Sequence, residues 1–128
     1  MNINKVLKLN YLKDFLCYFK KHNKLKTMVI QDIITKELLM IGYSDIESID
    51  ISLESGYVIF YSRSKYSLWV KGETSGNILE AYSLYLDCDK DSILIYSLLK
   101  GIICHLGNYS CFYSGGVAFP RTGNSLSC

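Results

Sequence analysis

The sequence predicts one compact α+β domain that is rich in β-strands and has few helices. The chain has 128 residues, a length that suits a single hydrophobic core. Hydrophobic residues make up 49% of it and charged residues 20%, a balance that excludes a disordered chain. Eleven tyrosines and a single proline favour β-structure.

Two segments have the pattern of helices. Over residues 5–22, apolar side chains recur at helical spacing and predict an amphipathic helix. The run Ser-Asp-Ile-Glu predicts a capping box, in which Ser44 and Glu47 satisfy each other's backbone N–H groups. A second helix is therefore expected over 45–55, with Gly56 as its stop.

Six further segments have the composition or the alternation of strands. They are residues 27–34, 38–43, 57–62, 66–70, 78–87 and 93–99. In the fifth segment, alternation places Ile78, Tyr82, Leu84 and Leu86 on one face. Residues 101–113 lack a regular pattern.

Positive charge is concentrated near the N-terminus. The formal net charge is +2, but residues 1–26 hold seven lysines against the single acidic residue Asp14. This basic head suits an anionic partner such as nucleic acid or a membrane surface, and it equally suits a solvated helix face. We expect a basic N-terminal helical segment at 1–26, a domain at 27–113 and a flexible C-terminal tail at 114–128.

The sequence shows neither a targeting signal nor a membrane-spanning segment. It has no run of about 18 apolar residues and no apolar stretch before a cleavage site, so we expect a cytoplasmic protein. The number of cysteines is odd, which argues against a disulfide framework and favours metal binding or catalysis. They are Cys17, Cys88, Cys104, Cys111 and Cys128.

An acidic run, Asp87-Cys88-Asp89-Lys90-Asp91, places carboxylates at alternate positions. In an extended chain the three carboxylates would point to one side and repel one another. A hard divalent cation with oxygen ligands would relieve that repulsion. An ordinary acidic hairpin turn has the same composition.

Three cysteines, Cys88, Cys104 and Cys111, offer soft ligands for zinc. Their spacing is not that of a zinc finger, and buried cysteines also serve as small apolar residues. His105 follows Cys104 directly, and Cys88 lies among the aspartates. Three protein ligands would leave a fourth zinc position open for water, as in catalytic rather than structural sites.

Two polar stretches have the composition of an anion site. Ser62-Arg63-Ser64-Lys65 and Lys71-Gly72-Glu73-Thr74-Ser75-Gly76 combine cations, hydroxyl groups and glycines, which suit a phosphate. They do not form a Walker loop, and solvated connections between strands have a similar composition.

Taken in order, these segments resemble the phosphoribosyl-AMP cyclohydrolases of histidine biosynthesis, over about residues 28–113. Supporting runs are Val29-Ile30-Gln31-Asp32, Leu39-Met40-Ile41-Gly42-Tyr43 and Tyr61-Ser62-Arg63-Ser64. The most specific runs are Leu68-Trp69-Val70-Lys71-Gly72-Glu73-Thr74-Ser75-Gly76-Asn77, Leu86-Asp87-Cys88-Asp89-Lys90-Asp91, Cys104-His105-Leu106-Gly107 and Ser110-Cys111-Phe112-Tyr113. In one departure, Asn108-Tyr109 stands where the family often has a basic pair.

The resemblance implies two metals and a dimer. Zinc would bind the cysteines Cys88, Cys104 and Cys111, and magnesium the aspartates Asp87, Asp89 and Asp91. The fold would be an intertwined α+β homodimer, with zinc ligands from both chains at the interface. Some members are fused to a phosphoribosyl-ATP pyrophosphatase, whereas this chain is expected to be monofunctional.

The implied reaction is the hydrolytic opening of the adenine ring of 1-(5-phosphoribosyl)-AMP at its N1–C6 bond by zinc-activated water. His105 is the candidate proton shuttle, because histidine titrates near neutrality and this one adjoins a zinc ligand. The substrate would be this small nucleotide, with neither nucleic acid nor a membrane as a partner. The candidate substrate-binding residues are Arg63, Lys71, Thr74, Ser75 and Trp69.

Two other functions fit parts of the sequence. A zinc deaminase uses related chemistry, but its H-x-E…P-C-x-x-C signature is absent. A non-enzymatic, zinc-stabilised binding module could use the basic head on nucleic acid, and it would show steep salt dependence without turnover.

Overall fold

The computed structural model describes residues 3–22, 24–73, 76–99, 101, 104, 109–112 and 116–119. The helices and strands are α1 (Ile3–His22), β1 (Lys26–Asp32), β2 (Leu38–Ser44), α2 (Ile46–Ser55), β3 (Ile59–Ser62), β4 (Ser67–Val70), β5 (Leu79–Leu86) and β6 (Ser92–Leu99). The prediction of a β-rich α+β domain with few helices is confirmed. No helix in this part of the chain has both the length and the apolarity of a membrane span.

The six strands form one sheet in the order β4-β3-β2-β1-β6-β5. Neighbouring strands are antiparallel except for β1 and β6, which are parallel. In that pair, Thr27 lies opposite Ser92 at one end and Asp32 lies opposite Ser97 at the other. The hairpin turn before β6 and the chain after β6 consequently lie at opposite ends of the sheet.

Both helices pack on one face of the sheet. Phe19 from α1 and Ile49 from α2 lie in a buried cluster with strand residues such as Met28 and Phe60. Gly42 lies opposite Met28, and a Cβ atom at Gly42 would collide with the Phe60 ring. A glycine in β2 therefore lets this ring pack directly against the strand.

Both predicted helices are present, but α2 begins differently from the prediction. The Asp45 carboxylate, rather than the Ser44 hydroxyl, accepts the Ser48 N–H at 2.8 Å. The predicted capping box is therefore wrong, because Ser44 still belongs to β2 and its buried hydroxyl bonds the Ser48 hydroxyl instead. Gly56 ends the helix as predicted, in the left-handed conformation with φ 79°.

The predicted apolar face of β5 is wrong in its first half. Leu84 and Leu86 pack against the core, but Tyr82 is 56% exposed and Ile78 is 38% exposed. The register of β5 against β6 shifts between the two halves of the strand. A bulge of this kind adds one residue to the strand, so the side chains before and after it alternate out of phase.

After β6, the chain returns to the turn between β1 and β2. The Cys111 N–H donates to the Leu39 carbonyl at 2.8 Å. The Ser110 hydroxyl donates to the Leu38 carbonyl at 2.5 Å. These two bonds fix the backbone around Cys111 against the beginning of β2.

Tyr109 adds a side-chain contact to the same turn. Its hydroxyl donates to the Asp32 carboxylate, which is 4% exposed and also accepts the N–H groups of Ile34 and Thr35 at 2.7 and 3.1 Å. Burial alone raises the pKa of Asp32, but the hydrogen bonds and the Lys36 charge outweigh burial and hold that pKa below its usual value. The folded state therefore favours the charged carboxylate.

Asp32→Asn should lower the free energy of unfolding by about 2 kcal/mol at pH 7, because hydrogen bonds to a charged acceptor are lost. A lowered folded-state pKa stabilises the fold above the ordinary aspartate pKa of about 4, and this contribution disappears as the pH falls through the folded value. Urea unfolding of both proteins at pH 7 and pH 3 should therefore show a smaller difference at pH 3. Asp50→Asn, at an exposed position in α2, is the control. An equal difference at both pH values would contradict this account.

Candidate active site

The turn between β5 and β6 gathers three aspartates. Ligand oxygens of Asp87, Asp89 and Asp91 all lie within 4.8 Å of one another. The Asp87 carboxylate accepts the N–H groups of Asp91 and Ser92 at 3.0 and 3.2 Å, so the backbone fixes its position. We call residues 87–91 the acidic turn. The carboxylates converge because the chain turns, and not because it is extended.

Crowding of these carboxylates shifts their protonation. Hydrogen bonds with Asp87 and Asp89 raise the pKa of Asp91 to about 6. The hydrogen bond from Asp91 in turn lowers the pKa of Asp87. The cluster therefore binds a proton more readily than an isolated aspartate does, and a divalent cation with oxygen ligands would relieve the same repulsion. The donor set fits Mg²⁺.

A second cluster contains two of the three predicted zinc ligands. Cys104 is buried, and a hydrogen bond joins its side chain to that of Cys111. Burial raises the pKa of Cys111 and the neighbouring Cys104 raises it further, whereas the charge of Lys71 lowers it. We call Cys104 and Cys111 the thiol pair. Two adjacent sulfurs fit half of a tetrahedral zinc site, in which zinc displaces the thiol protons.

Cys88, the third predicted zinc ligand, is exposed in the acidic turn and far from the thiol pair of its own chain. The acidic turn precedes β6 at the Thr27 end of β1, whereas the chain around Cys111 contacts the turn that follows Asp32. The five residue steps from Thr27 to Asp32 extend about 17 Å. Two sulfurs on one zinc ion lie only about 4 Å apart, since each Zn–S bond is about 2.3 Å. One chain therefore does not bring the three cysteines together.

The cysteines in the described part of the chain are all free thiols. Cys17 is exposed on α1.

A cavity of about 580 Å³ opens beside the second half of β2 and the end of β3. Arg63 and Trp69 line it. The Arg63 guanidinium lies 3.8 Å from the centre of the Tyr43 ring, and the Trp69 ring stacks on Phe60 at 4.9 Å. Lys71 Nζ lies 5.9 Å from the centre of the Trp69 ring, and its charge also acts on the thiol pair. Lys71 therefore connects the cavity with the thiol pair.

The remaining predicted site residues lie outside the described residues. They are Thr74, Ser75 and His105. Two glycines of the described chain lie close to Asn77. A Cβ atom at Gly72 would meet the Asn77 backbone, and a Cβ atom at Gly101 would meet the Asn77 side chain. Asn77 thereby links the loop after β4 with the chain that leads to Cys104.

Asp32 and Tyr109 support the site from outside it through a contact that the sequence did not predict. Asp32 belongs to a run that resembles the family, but nothing in that run indicates its contact with Tyr109. One signal was available, because Tyr109 stands where the family often has a basic pair. A basic side chain there suggests an acidic neighbour, and a tyrosine hydroxyl can donate to the same carboxylate.

Comparison with known proteins identifies the family that the sequence resembles. The family described as phosphoribosyl-AMP cyclohydrolase matches residues 40–113. The phosphoribosyl-AMP cyclohydrolase of Archaeoglobus fulgidus is 46% identical over 86 residues, which are 67% of this chain and 80% of that protein.

Longer relatives match as well. The histidine biosynthesis bifunctional protein HisIE of Campylobacter jejuni is 48% identical over 94 residues, which are 73% of this chain and 45% of that protein. The protein of the same name from Escherichia coli is 45% identical over 94 residues, which are 73% of this chain and 46% of that protein. The chain thus spans about half the length of these bifunctional relatives. From the matched region and the identity with the archaeal protein, the chain belongs to the phosphoribosyl-AMP cyclohydrolase family.

Proposed function

We propose that the chain hydrolyses 1-(5-phosphoribosyl)-AMP in histidine biosynthesis, by opening the adenine ring at its N1–C6 bond. The observation that carries this proposal is the position of Lys71 in a chain of this family. Its charge acts on Cys111 of the thiol pair, and its Nζ lies 5.9 Å from the centre of the Trp69 ring, which lines a cavity of about 580 Å³. Cavities of about 300–1,000 Å³ are the usual size for small-molecule ligands.

The residues around the cavity suit a nucleotide with two phosphates. Arg63 and Lys71 are proposed to neutralise phosphate charge, and the Trp69 ring to offer an apolar surface to the purine. Thr74 and Ser75 are proposed to supply hydroxyl groups for the remaining phosphate contacts. Lys71 would lie between the bound nucleotide and the thiol pair.

Hydrolysis adds the water oxygen to C6 and breaks the N1–C6 bond, after which N1 must gain a proton. Ribosylation at N1 leaves C6 electron-poor and open to attack. Zinc on the cysteines would lower the pKa of a bound water from about 15.7 toward about 7 and so supply the nucleophile near neutral pH. His105 is proposed to deliver the proton to N1, since imidazole titrates in this range.

The acidic turn is proposed to hold Mg²⁺, which would bind phosphate or ribose oxygens of the substrate. Its ligands would be Asp87, Asp89 and Asp91. The proposed location is the cytoplasm, where a reducing environment keeps thiol ligands available for zinc.

A homodimer is proposed because one chain separates the zinc ligands. In a dimer, Cys88 of one chain would complete the site begun by the thiol pair of the other. Two zinc sites would then form across one two-fold interface, and each would need both chains.

An apolar row on the open face of the sheet supports this dimer. Ile41, Val29, Leu94 and Tyr85 are cross-strand neighbours on β2, β1, β6 and β5. They face away from the helices, and Ile41 and Tyr85 are 49% and 50% exposed. A second copy of the chain would bury this row.

Purified protein should convert 1-(5-phosphoribosyl)-AMP into the ring-opened ribonucleotide. The change in absorbance measures this reaction. A chelator should abolish turnover and added Zn²⁺ should restore it, because the nucleophile depends on zinc. AMP is the control substrate and should not react, since its N1 carries no ribose. Steeply salt-dependent binding of nucleic acid without turnover would instead favour the binding module.

Cys88→Ser and Cys104→Ser should each be inactive, because each removes a zinc ligand, whereas Cys17→Ser should keep wild-type activity. Mixing the two inactive variants should restore turnover after subunit exchange. In a mixed dimer, one site regains all three thiolates and the other loses two, so each mixed dimer should have about half the wild-type activity. Light scattering checks the dimer. An active monomer, or no recovery in verified mixed dimers, would refute the shared site.

Asp89→Asn should weaken the Mg²⁺ dependence of turnover and leave zinc bound, because oxygen ligands suit magnesium and hardly compete with thiolates for zinc. Zinc content and a magnesium titration are measured on one preparation, with Asp50→Asn as the control. Parallel loss of zinc would mean that the aspartates support the zinc site. An unchanged magnesium curve would make the acidic turn an ordinary hairpin turn.

A further inference from the structure

Lys26, the first residue of β1, is a buried lysine whose ammonium contacts a backbone carbonyl. Its side chain is 6% exposed, and its Nζ donates to the Lys90 carbonyl at 2.6 Å. A buried ammonium is costly unless hydrogen bonds and favourable charge interactions compensate for lost water. The Lys90 carbonyl, which belongs to the acidic turn, supplies such a bond.

Aromatic rings from α1 provide the rest of the environment. Lys26 Nζ lies 4.9 Å from the centre of the Phe19 ring and 5.6 Å from that of Tyr18. Lys90 Nζ lies 4.9 Å from the Tyr18 ring. Cation–π attraction of this kind strengthens as the cation loses water. The end of α1, the start of β1 and the acidic turn are thus joined through two ammonium groups and two rings.

The same peptide group connects Lys26 to the aspartates. The Lys90 carbonyl accepts from Lys26, and the N–H of the Lys90–Asp91 peptide donates to the Asp87 carboxylate at 3.0 Å. A peptide group is planar, so its carbonyl and its N–H rotate together. Lys90 has φ 62°, a left-handed conformation that non-glycine residues adopt at a cost. The Lys26 contact, which comes from outside the turn, therefore adds to the hydrogen bonds within the turn in holding this peptide.

We propose that Lys26 is a positioning residue for divalent-cation binding, since it fixes the peptide group that orients the Asp87 carboxylate. The proposal rests on the magnesium site proposed above. It gives α1 a role, because the rings beside Lys26 belong to that helix. It also separates Lys26 from the other lysines of the basic head.

Charge and position act in opposite directions at Lys26, which makes the proposal testable. A positive charge close to the acidic turn repels a dication, so its removal alone would tighten cation binding. Loss of the contact to Lys90 frees the peptide to rotate and misplaces the carboxylates, which weakens binding. The sign of the change therefore distinguishes the two effects.

The test uses Mn²⁺ as a spectroscopic substitute for Mg²⁺, with free Mn²⁺ measured by electron paramagnetic resonance on the full chain. Lys26→Met removes the ammonium at similar length and should weaken Mn²⁺ binding about tenfold, as for other residues that orient metal ligands. Lys26→Arg keeps a donor and should restore most of the affinity. Lys20→Met, at an exposed position on α1, loses the same charge and should bind as the wild type does. Zinc content should not change in any of the three.

Wild-type or tighter Mn²⁺ binding by folded Lys26→Met would overturn the positioning role alone. If the wild-type chain does not bind Mn²⁺, or if Asp89→Asn does not weaken that binding, the magnesium site fails and the role of Lys26 fails with it. If Lys26→Met does not fold, Tyr18→Leu removes one ring beside both ammonium groups. It should weaken Mn²⁺ binding about threefold, and unchanged affinity in that folded variant would also overturn the proposal.

Discussion

The parallel pairing of β1 with β6 is the constraint on which the rest of the structure depends. Parallel strands need a long connection, and here β2, α2 and β3 to β5 all lie between the two partners in sequence. The register fixes the acidic turn near Thr27 and the chain after β6 near Asp32. Donors for one proposed zinc site are therefore divided between the two ends of the sheet. Two copies of the chain are the simplest way to reunite them.

The candidate site has two halves, the acidic turn and the thiol pair. In each half, a backbone group forms a hydrogen bond with a residue outside that half. In the acidic turn, the peptide after Lys90 bonds the ammonium of Lys26 on one side and the Asp87 carboxylate on the other. In the thiol pair, the Cys111 N–H bonds the Leu39 carbonyl. Such bonds fix the side chains that are proposed to bind the metals. This matters because crowded carboxylates and neighbouring thiolates repel one another.

Local sequence patterns predicted the helices and strands well where contacts between residues close in sequence determine the structure. The helical period of residues 5–22 and the stop at Gly56 depend on neighbours within one or two turns, and both are present. The capping box failed because the end of β2, a long-range feature, keeps Ser44 in the interior. The prediction that Tyr82 lies on the apolar face of β5 was wrong because of the bulge in that strand. The bulge depends on pairing with the partner strand β6, and the alternation of residues in β5 gives no sign of it.

The sequence by itself determined the donor chemistry of this protein. The aspartates around Cys88 are close in the chain, so any turn there gathers their carboxylates, and the runs around the cysteines identify the family. The tertiary structure alone decided that Cys104 and Cys111 meet and that Cys88 does not join them within one chain. It also decided that Lys26, a lysine of the basic head, is buried. These features depend on strand register and on packing between residues up to 72 positions apart. Such contacts leave no periodic signal in the sequence, because they are set by how the sheet is assembled and not by the residues next to them.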